Sequence, residues 1–94
     1  MAIVLPVAAS ELAHIFREAE GHIADTPENR ALLLEVANDP ADSLSTDRYG
    51  NDWSARMLED GRQVWTQVRN GKLINGGIND VPRLANLQTG LKRL

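Results

Sequence analysis

Asp47-Arg-Tyr-Gly-Asn-Asp-Trp53, then Ser54 to Asp60, Gly61-Arg-Gln-Val-Trp-Thr-Gln-Val-Arg-Asn-Gly71 and Lys72 to Asn79 make up the stretch whose reading decides the fold. Asp60-Gly61 and Asn70-Gly71 cut it into three short runs. Asn or Asp followed by Gly tolerates the positive φ of tight hairpin turns, and β-rich residues flank both pairs. The stretch predicts a three-stranded antiparallel meander, with strands near 52–58, 62–69 and 72–75. Gly76-Gly77-Ile78-Asn79 reads as a further turn or bulge.

Alternation assigns the faces. In the second strand Val64, Thr66 and Val68 share one face, and Gln63, Trp65, Gln67 and Arg69 share the other. In the first, Trp53, Ala55 and Met57 lie opposite Ser54, Arg56 and Leu58. The valines belong on a core. A row of Gln, Trp, Gln and Arg is unlike the Lys, Glu and Thr of a merely solvated face, and reads as a binding surface.

Upstream, Leu12, Ile15, Phe16 and Ala19 recur at helical spacing after Ser10, a suitable N-cap, and Gly21 suits the C′ position. This predicts a helix over about 10–20, with His14 at the rim of its apolar stripe. Thr26-Pro27-Glu28-Asn29 is a strong helix start, with Thr26 as N-cap and Pro27 at N1. Leu32, Leu33, Val36 and Ala37 form the buried stripe of a second helix over about 27–38. Arg30, one turn in, is placed to pair with Glu28 or Glu35, or to bind substrate if the helix start points at the sheet's polar face. Residues 39–46 read as a Pro/Ser/Asp-rich loop, and Met1 to Ala9 as an extended arm packed on the body. Downstream of Pro82 the periodicity of Leu84, Leu87 and Leu91 is weak, which leaves a short strand, a helical turn or a frayed tail open.

The expected class is α+β, with two N-terminal helices packed on one face of a small twisted antiparallel sheet of three to four strands. Residues 1–94 make one domain, helical over 1–46 and β-meander plus tail over 47–94. A chain of this length buries about 60–65% of its unfolded surface, enough for one modest core. There is no cysteine, and the two histidines lie eight residues apart, so neither a disulfide framework nor metal-ligand spacing is present. The apolar N-terminal run is too short to span a membrane, which takes about 20 residues. Net charge is −3. Residues 1–46 carry eight acids and two bases, whereas 47–94 carry five acids and eight bases. The helical half is thus acidic and the sheet half basic, and an acidic chain of this kind can still present a cationic face.

Nucleophile-elbow, phosphate-loop and metal motifs are absent. Metal-free acid–base chemistry on RNA remains open, because RNA carries its own nucleophile. Its 2′-OH attacks the neighbouring phosphate when a base takes the proton, an acid protonates the leaving 5′-oxygen and a cation stabilises the phosphorane. His22, Arg56, Arg69, Thr66, Gln63, Gln67 and Tyr49 can supply that kit, and Trp65 can stack an unpaired base. His22 is the sharpest of these, following a glycine and preceding a capped helix. The plainer reading makes it a histidine that satisfies backbone carbonyls.

Three segments resemble a known family. Gly21 to Arg30 matches GHxxDTPxNR, Asp47 to Trp53 matches DxYGNxW, and Gly61 to Asn79 resembles GxQxWxxVRNGxIxNGGxN, with Leu73 at the Ile position. In this order they resemble the C-terminal toxin domains of contact-dependent inhibition and related polymorphic toxin systems. More broadly they are similar to the barnase–EndoU–colicin–RelE group of small ribonucleases. The resemblance covers about residues 14–90. It implies a helical part packed on a twisted sheet, an active site on the sheet's exposed face, and cofactor-free and metal-independent cleavage of RNA, often tRNA. It also implies a cognate immunity protein, sometimes a host factor that aids RNA binding, and delivery as part of a larger effector, secreted or displayed at the cell surface and acting in the target-cell cytoplasm. By position the catalytic histidine falls on His22, and the basic and polar sheet residues fall on Arg56, Gln63, Gln67 and Arg69. The competing expectation is a non-enzymatic module that docks a protein on the Gln63/Trp65/Gln67/Arg69 face.

Overall fold

The computed structural model describes the backbone of residues 2–86 and 90–92 and the side chains of residues 2–83. The expected α+β class is found. Helices α1 (Ala9–Ile15) and α2 (Pro27–Asn38) precede strands β1 (Ser43–Thr46), β2 (Asp52–Met57), β3 (Gln63–Arg69) and β4 (Lys72–Asn79), which form one antiparallel sheet in sequential order. A hairpin of β5 (Leu84–Asn86) and β6 (Gly90–Lys92) follows, with β5 against β1 and β6 against β2. This gives the weakly periodic tail a structure, although Leu87 lies outside the described residues. Among the described residues no helix is long and apolar enough to cross a membrane.

Both hairpin turns form where the glycines predict. Asn70 and Gly71 have φ 53° and 74°, the paired positive values of a two-residue hairpin turn. Gly61, at φ 89°, closes the other. The register sets Trp65 opposite Ala55 and Gly77, Thr66 opposite Ser54 and Gly76, and Val64 opposite Arg56 and Ile78. Val64, Val68 and Leu73 form the sheet's share of a core completed by Ile15, Phe16, Leu33, Val36 and Ala37. Each large aliphatic chain buried there contributes about 1.5–3 kcal/mol.

The expected third strand ends too early. Gly76 and Gly77 do not turn the chain. They continue β4 to Asn79, past an irregularity in pairing between Gln67 and Val68. Two close approaches explain the glycines. A β-carbon on Gly76 would stand 3.1 Å from Leu33, and one on Gly77 would stand 1.8 Å from the Gly21 carbonyl oxygen. One glycine makes room for α2 above the sheet, and the other for a loop below it.

Strand β1 was unexpected, because Ser43–Thr46 has no apolar alternation to mark an edge strand. It is preceded by a single 3-10 turn over Pro40–Asp42. Thr26 caps α2 as expected, its hydroxyl accepting from the Asn29 amide. Helix α1 is shorter than expected and starts at Ala9, so Ser10 lies inside it and caps nothing. The N-terminal arm packs as expected. Val4 bridges in parallel to Lys72, and Asn38 bonds the Ile3 backbone through both amide atoms.

Candidate functional site

Why α1 stops at Ile15 explains how the site is built. In a longer helix the Ile15 carbonyl would accept from the amide of residue 19. Instead it accepts from Nδ1 of the His22 imidazole at 2.8 Å. Residues 16–22 therefore leave the helix and swing around the β4 edge. Gly21, at φ 82°, lands on Gly77, and its carbonyl takes the Trp65 indole N–H at 3.0 Å. The His22 ring then meets Trp65 edge-on, with centroids 5.6 Å apart. Trp65 in turn stacks on Trp53 at 5.8 Å.

A carbonyl can only accept, so Nδ1 carries the proton in neutral His22 and Nε2 is the basic nitrogen. Burial lowers the His22 pKa below its usual 6.5. The Ile15 and Gly76 carbonyls oppose that shift, while nearby Arg17 and His14 reinforce it. His22 is thus held neutral near physiological pH, in one tautomer, with the Arg17 guanidinium nearby. Arg17 is anchored to the His14 carbonyl at 2.6 Å.

The binding face differs from the expected row of exposed groups. Trp65 is only 7% exposed. It is a wall behind His22, with its indole N–H engaged, and is no platform for a base. Gln63 is buried too. Its Oε1 accepts from the Arg83 amide and from Asn79 Nδ2, and its Nε2 donates to the Arg83 carbonyl, which pins residues 80–83 to the sheet. Gln67 and Arg69 stay accessible farther along β3. The Gln67 amide makes no hydrogen bond among the described residues, and with Ser10, Glu11, His14 and Ile74 it lines a shallow depression. Arg69 donates Nε to Asn51 Oδ1 and Nη2 to the Tyr49 carbonyl. Both acceptors are neutral, so the Arg69 charge is uncompensated. Tyr49, 59% exposed, is the open aromatic beside it, with the Arg48 guanidinium 4.8 Å over its ring.

Three expected members do not join this group. Arg56 follows the alternation of β2 onto the helix side, because its neighbour across the ladder is Val64. There it pairs with Glu35, Asp39 and Asp42. Those carboxylates, Glu35 and Asp42 foremost, push its pKa further up, and its charge is spent on the acidic helical half. Thr66 is 0% exposed on that same side, opposite Ser54 and Gly76, and cannot reach a substrate on the far face. Arg30 pairs with Asp25, not with Glu28 or Glu35, and sits 6.0 Å over the Phe16 ring.

The cations divide accordingly. Arg30, Arg56, Arg62 and Lys72 are all in salt bridges, whereas Arg17, Arg48, Arg69 and Arg83 make none among the described residues. Arg17 beside His22, and Arg83 beside Gly21, were not singled out from the sequence. Nothing in the sequence set them apart: each has an acidic residue three positions away, Glu20 for Arg17 and Asp80 for Arg83.

Asp47 holds one end of the face. It is buried and accepts from the Tyr49 and Asn51 amides, Asn51 Nδ2 and the Trp53 indole. Burial raises its pKa, but the donors outweigh that and bring it down to about 2. The chain Asp47–Asn51–Arg69 thus fixes the guanidinium from behind.

No protein-family model, curated protein or solved structure matches this chain.

Proposed function

We propose that the domain is a metal-independent RNA endonuclease that acts through His22. One observation carries the reading. Nδ1 of His22 is fixed on the Ile15 carbonyl, which leaves Nε2 as the basic nitrogen, and Arg17, a guanidinium in no salt bridge among the described residues, is near enough to act on the ring's charge. Nε2 takes the proton of the 2′-OH, the 2′-oxygen bonds to phosphorus, and the P–O5′ bond breaks. The 5′-oxygen leaves with a proton taken from water, giving a 2′,3′-cyclic phosphate and a 5′-OH end. Arg17 stabilises the phosphorane charge. Arg69 and Tyr49 hold the strand farther along the face, by charge and by stacking. Gln67 lies between them. The role first expected of Arg56 passes to Arg17.

On this reading tRNA is the first substrate to try, and the domain acts in the cytoplasm of a target bacterium as part of a larger delivered effector. A cognate immunity protein restrains it in the producing cell, and a host factor aids RNA binding. The test is incubation of purified protein with total RNA and tRNA in EDTA, followed by end-group analysis. Cyclic phosphate ends, lost in His22→Ala with the fold intact, are the expected result. Cleavage by His22→Ala at the wild-type rate overturns the assignment. Intact RNA at concentrations where the protein inhibits growth favours the protein-docking module instead.

A further inference from the structure

Cleavage by His22 leaves one chemical need poorly met. The departing 5′-oxygen has to gain a proton, and water, with a pKa of about 15.7, is a weak donor. A second imidazole stands close to the first. His14 lies in the last turn of α1, one residue before Ile15, whose carbonyl holds His22 Nδ1 at 2.8 Å. It is exposed, and it lines the shallow depression that also holds Gln67 and Ile74.

Strand β3 relates the two histidines. His22 meets Trp65 edge-on, and His14 borders the depression with Gln67, the next residue on the same face of β3. Residues two apart on a strand are separated by about 7 Å, which leaves room for one phosphate between the groups that stand over them. Arg17 belongs to the same cluster. Its Nη1 donates to the His14 carbonyl at 2.6 Å and stands 3.4 Å from both nitrogens of the His14 ring. A guanidinium can only donate, so neither ring nitrogen of His14 has an acceptor among the described residues, and either can give a proton to a substrate. Arg17 and His14 are both near enough to His22 to disfavour its charged form. Glu11, which lines the same depression, is engaged with Lys72 at 2.9 Å.

We propose that His14 is the general acid of the cleavage, acting opposite His22 as base, with the scissile phosphate between them and against Arg17. The proposal rests on the ribonuclease reading. His22 Nε2 takes the 2′-OH proton, the 2′-oxygen bonds to phosphorus and the P–O5′ bond breaks. The His14 imidazolium, in place of water, gives its proton to the 5′-oxygen. His14 ends neutral and His22 charged, and both reset by proton exchange with solvent. An imidazole changes charge near neutral pH, and a bound phosphodiester stabilises the imidazolium that this step requires.

The test changes the leaving group. The bond that the wild type cuts is mapped, and the same RNA is remade with sulfur in place of the 5′-oxygen at that bond, since a thiolate leaves without a proton. His14→Ala, at an exposed position, should cut ordinary RNA about a hundredfold more slowly and the sulfur-substituted RNA within about threefold of the wild type. His22→Ala should lose both, because each substrate needs the base. Equal losses by His14→Ala on the two substrates, or no loss on ordinary RNA, overturn the assignment of His14 and leave the ribonuclease reading standing. If the wild type cuts no RNA, that reading falls and the assignment falls with it.

Discussion

The His22 imidazole donates to the carbonyl of Ile15, seven residues earlier, at 2.8 Å, and so ends the first helix with a side chain in place of a backbone amide. That bond selects the tautomer, sets where the loop leaves α1 and delivers Gly21 onto Gly77. Removing the imidazole has two separable effects. His22→Ala should lose RNA cleavage by at least a hundredfold, within the range of about 10²–10⁴ for a general acid or base. His22→Asn, which can still donate to Ile15, should keep more stability than His22→Ala and regain no cleavage. Urea denaturation and a fluorogenic RNA assay on both variants separate the roles.

The ring should titrate below 6.5. Burial, helped by Arg17 and His14, disfavours the imidazolium in the folded state. The folded pKa therefore lies under the unfolded one, so the unfolded chain binds the proton more tightly. The contribution of His22 to stability is complete above about pH 6.5 and declines as pH falls from there through the folded pKa. NMR titration of the His22 ring checks the midpoint, and a value above 6.5 contradicts the environment described.

Gly77 should tolerate no side chain. A β-carbon there meets the Gly21 backbone, which cannot rotate away. Gly77→Ala should cost at least about 3 kcal/mol, the upper end of ordinary overpacking. Gly50, at φ 85° with open space around it, is the control. Gly50→Ala should cost only about 1–2 kcal/mol, from the left-handed backbone alone. Equal losses in urea denaturation would mean that the loop does not rest on Gly77.

Asp47 should set the acid limit of the fold. Its pKa, at about 2, lies below the unfolded value, so its contribution is complete above the unfolded value near 3.9 and disappears as pH falls through 2. Asp47→Ala orphans buried donors and should cost roughly 2 kcal/mol or more, and it should flatten the acid side of the stability profile. Acid unfolding monitored by tryptophan fluorescence reads this directly, since Trp53 bonds Asp47.

Two arginines should behave oppositely. Arg56→Gln should lower the urea midpoint and leave RNA cleavage unchanged, because its partners are Glu35, Asp39 and Asp42 on the helix side. Arg69→Gln should raise KM for RNA about tenfold, the loss of one charge-assisted contact, with a shallower salt dependence and little change in stability. The reverse pattern would move the functional face to the other side of the sheet.

Much of this was legible along the chain. Asn70-Gly71 and Asp60-Gly61 determined the two hairpins, because Asn70, Gly71 and Gly61 take positive φ values that few other residue types adopt. Alternation alone put Val64 and Val68 on the core, and Thr26-Pro27 determined where the second helix begins. These are local preferences, encoded within a few residues. Tertiary structure decided the rest. Whether Gly76-Gly77 turned or continued depended on Leu33 and Gly21, which approach from opposite sides and are remote in sequence. Whether Trp65 was platform or wall depended on Trp53 and on the loop that lies over Gly77. Arg56 and Arg69 look alike in sequence, and one is neutralised by the helical half while the other is not. Residue type and spacing specify what a side chain is and which face of its strand it takes. Which charges remain unpaired and which nitrogen remains basic is decided by partners that only the closed fold brings within hydrogen-bonding distance.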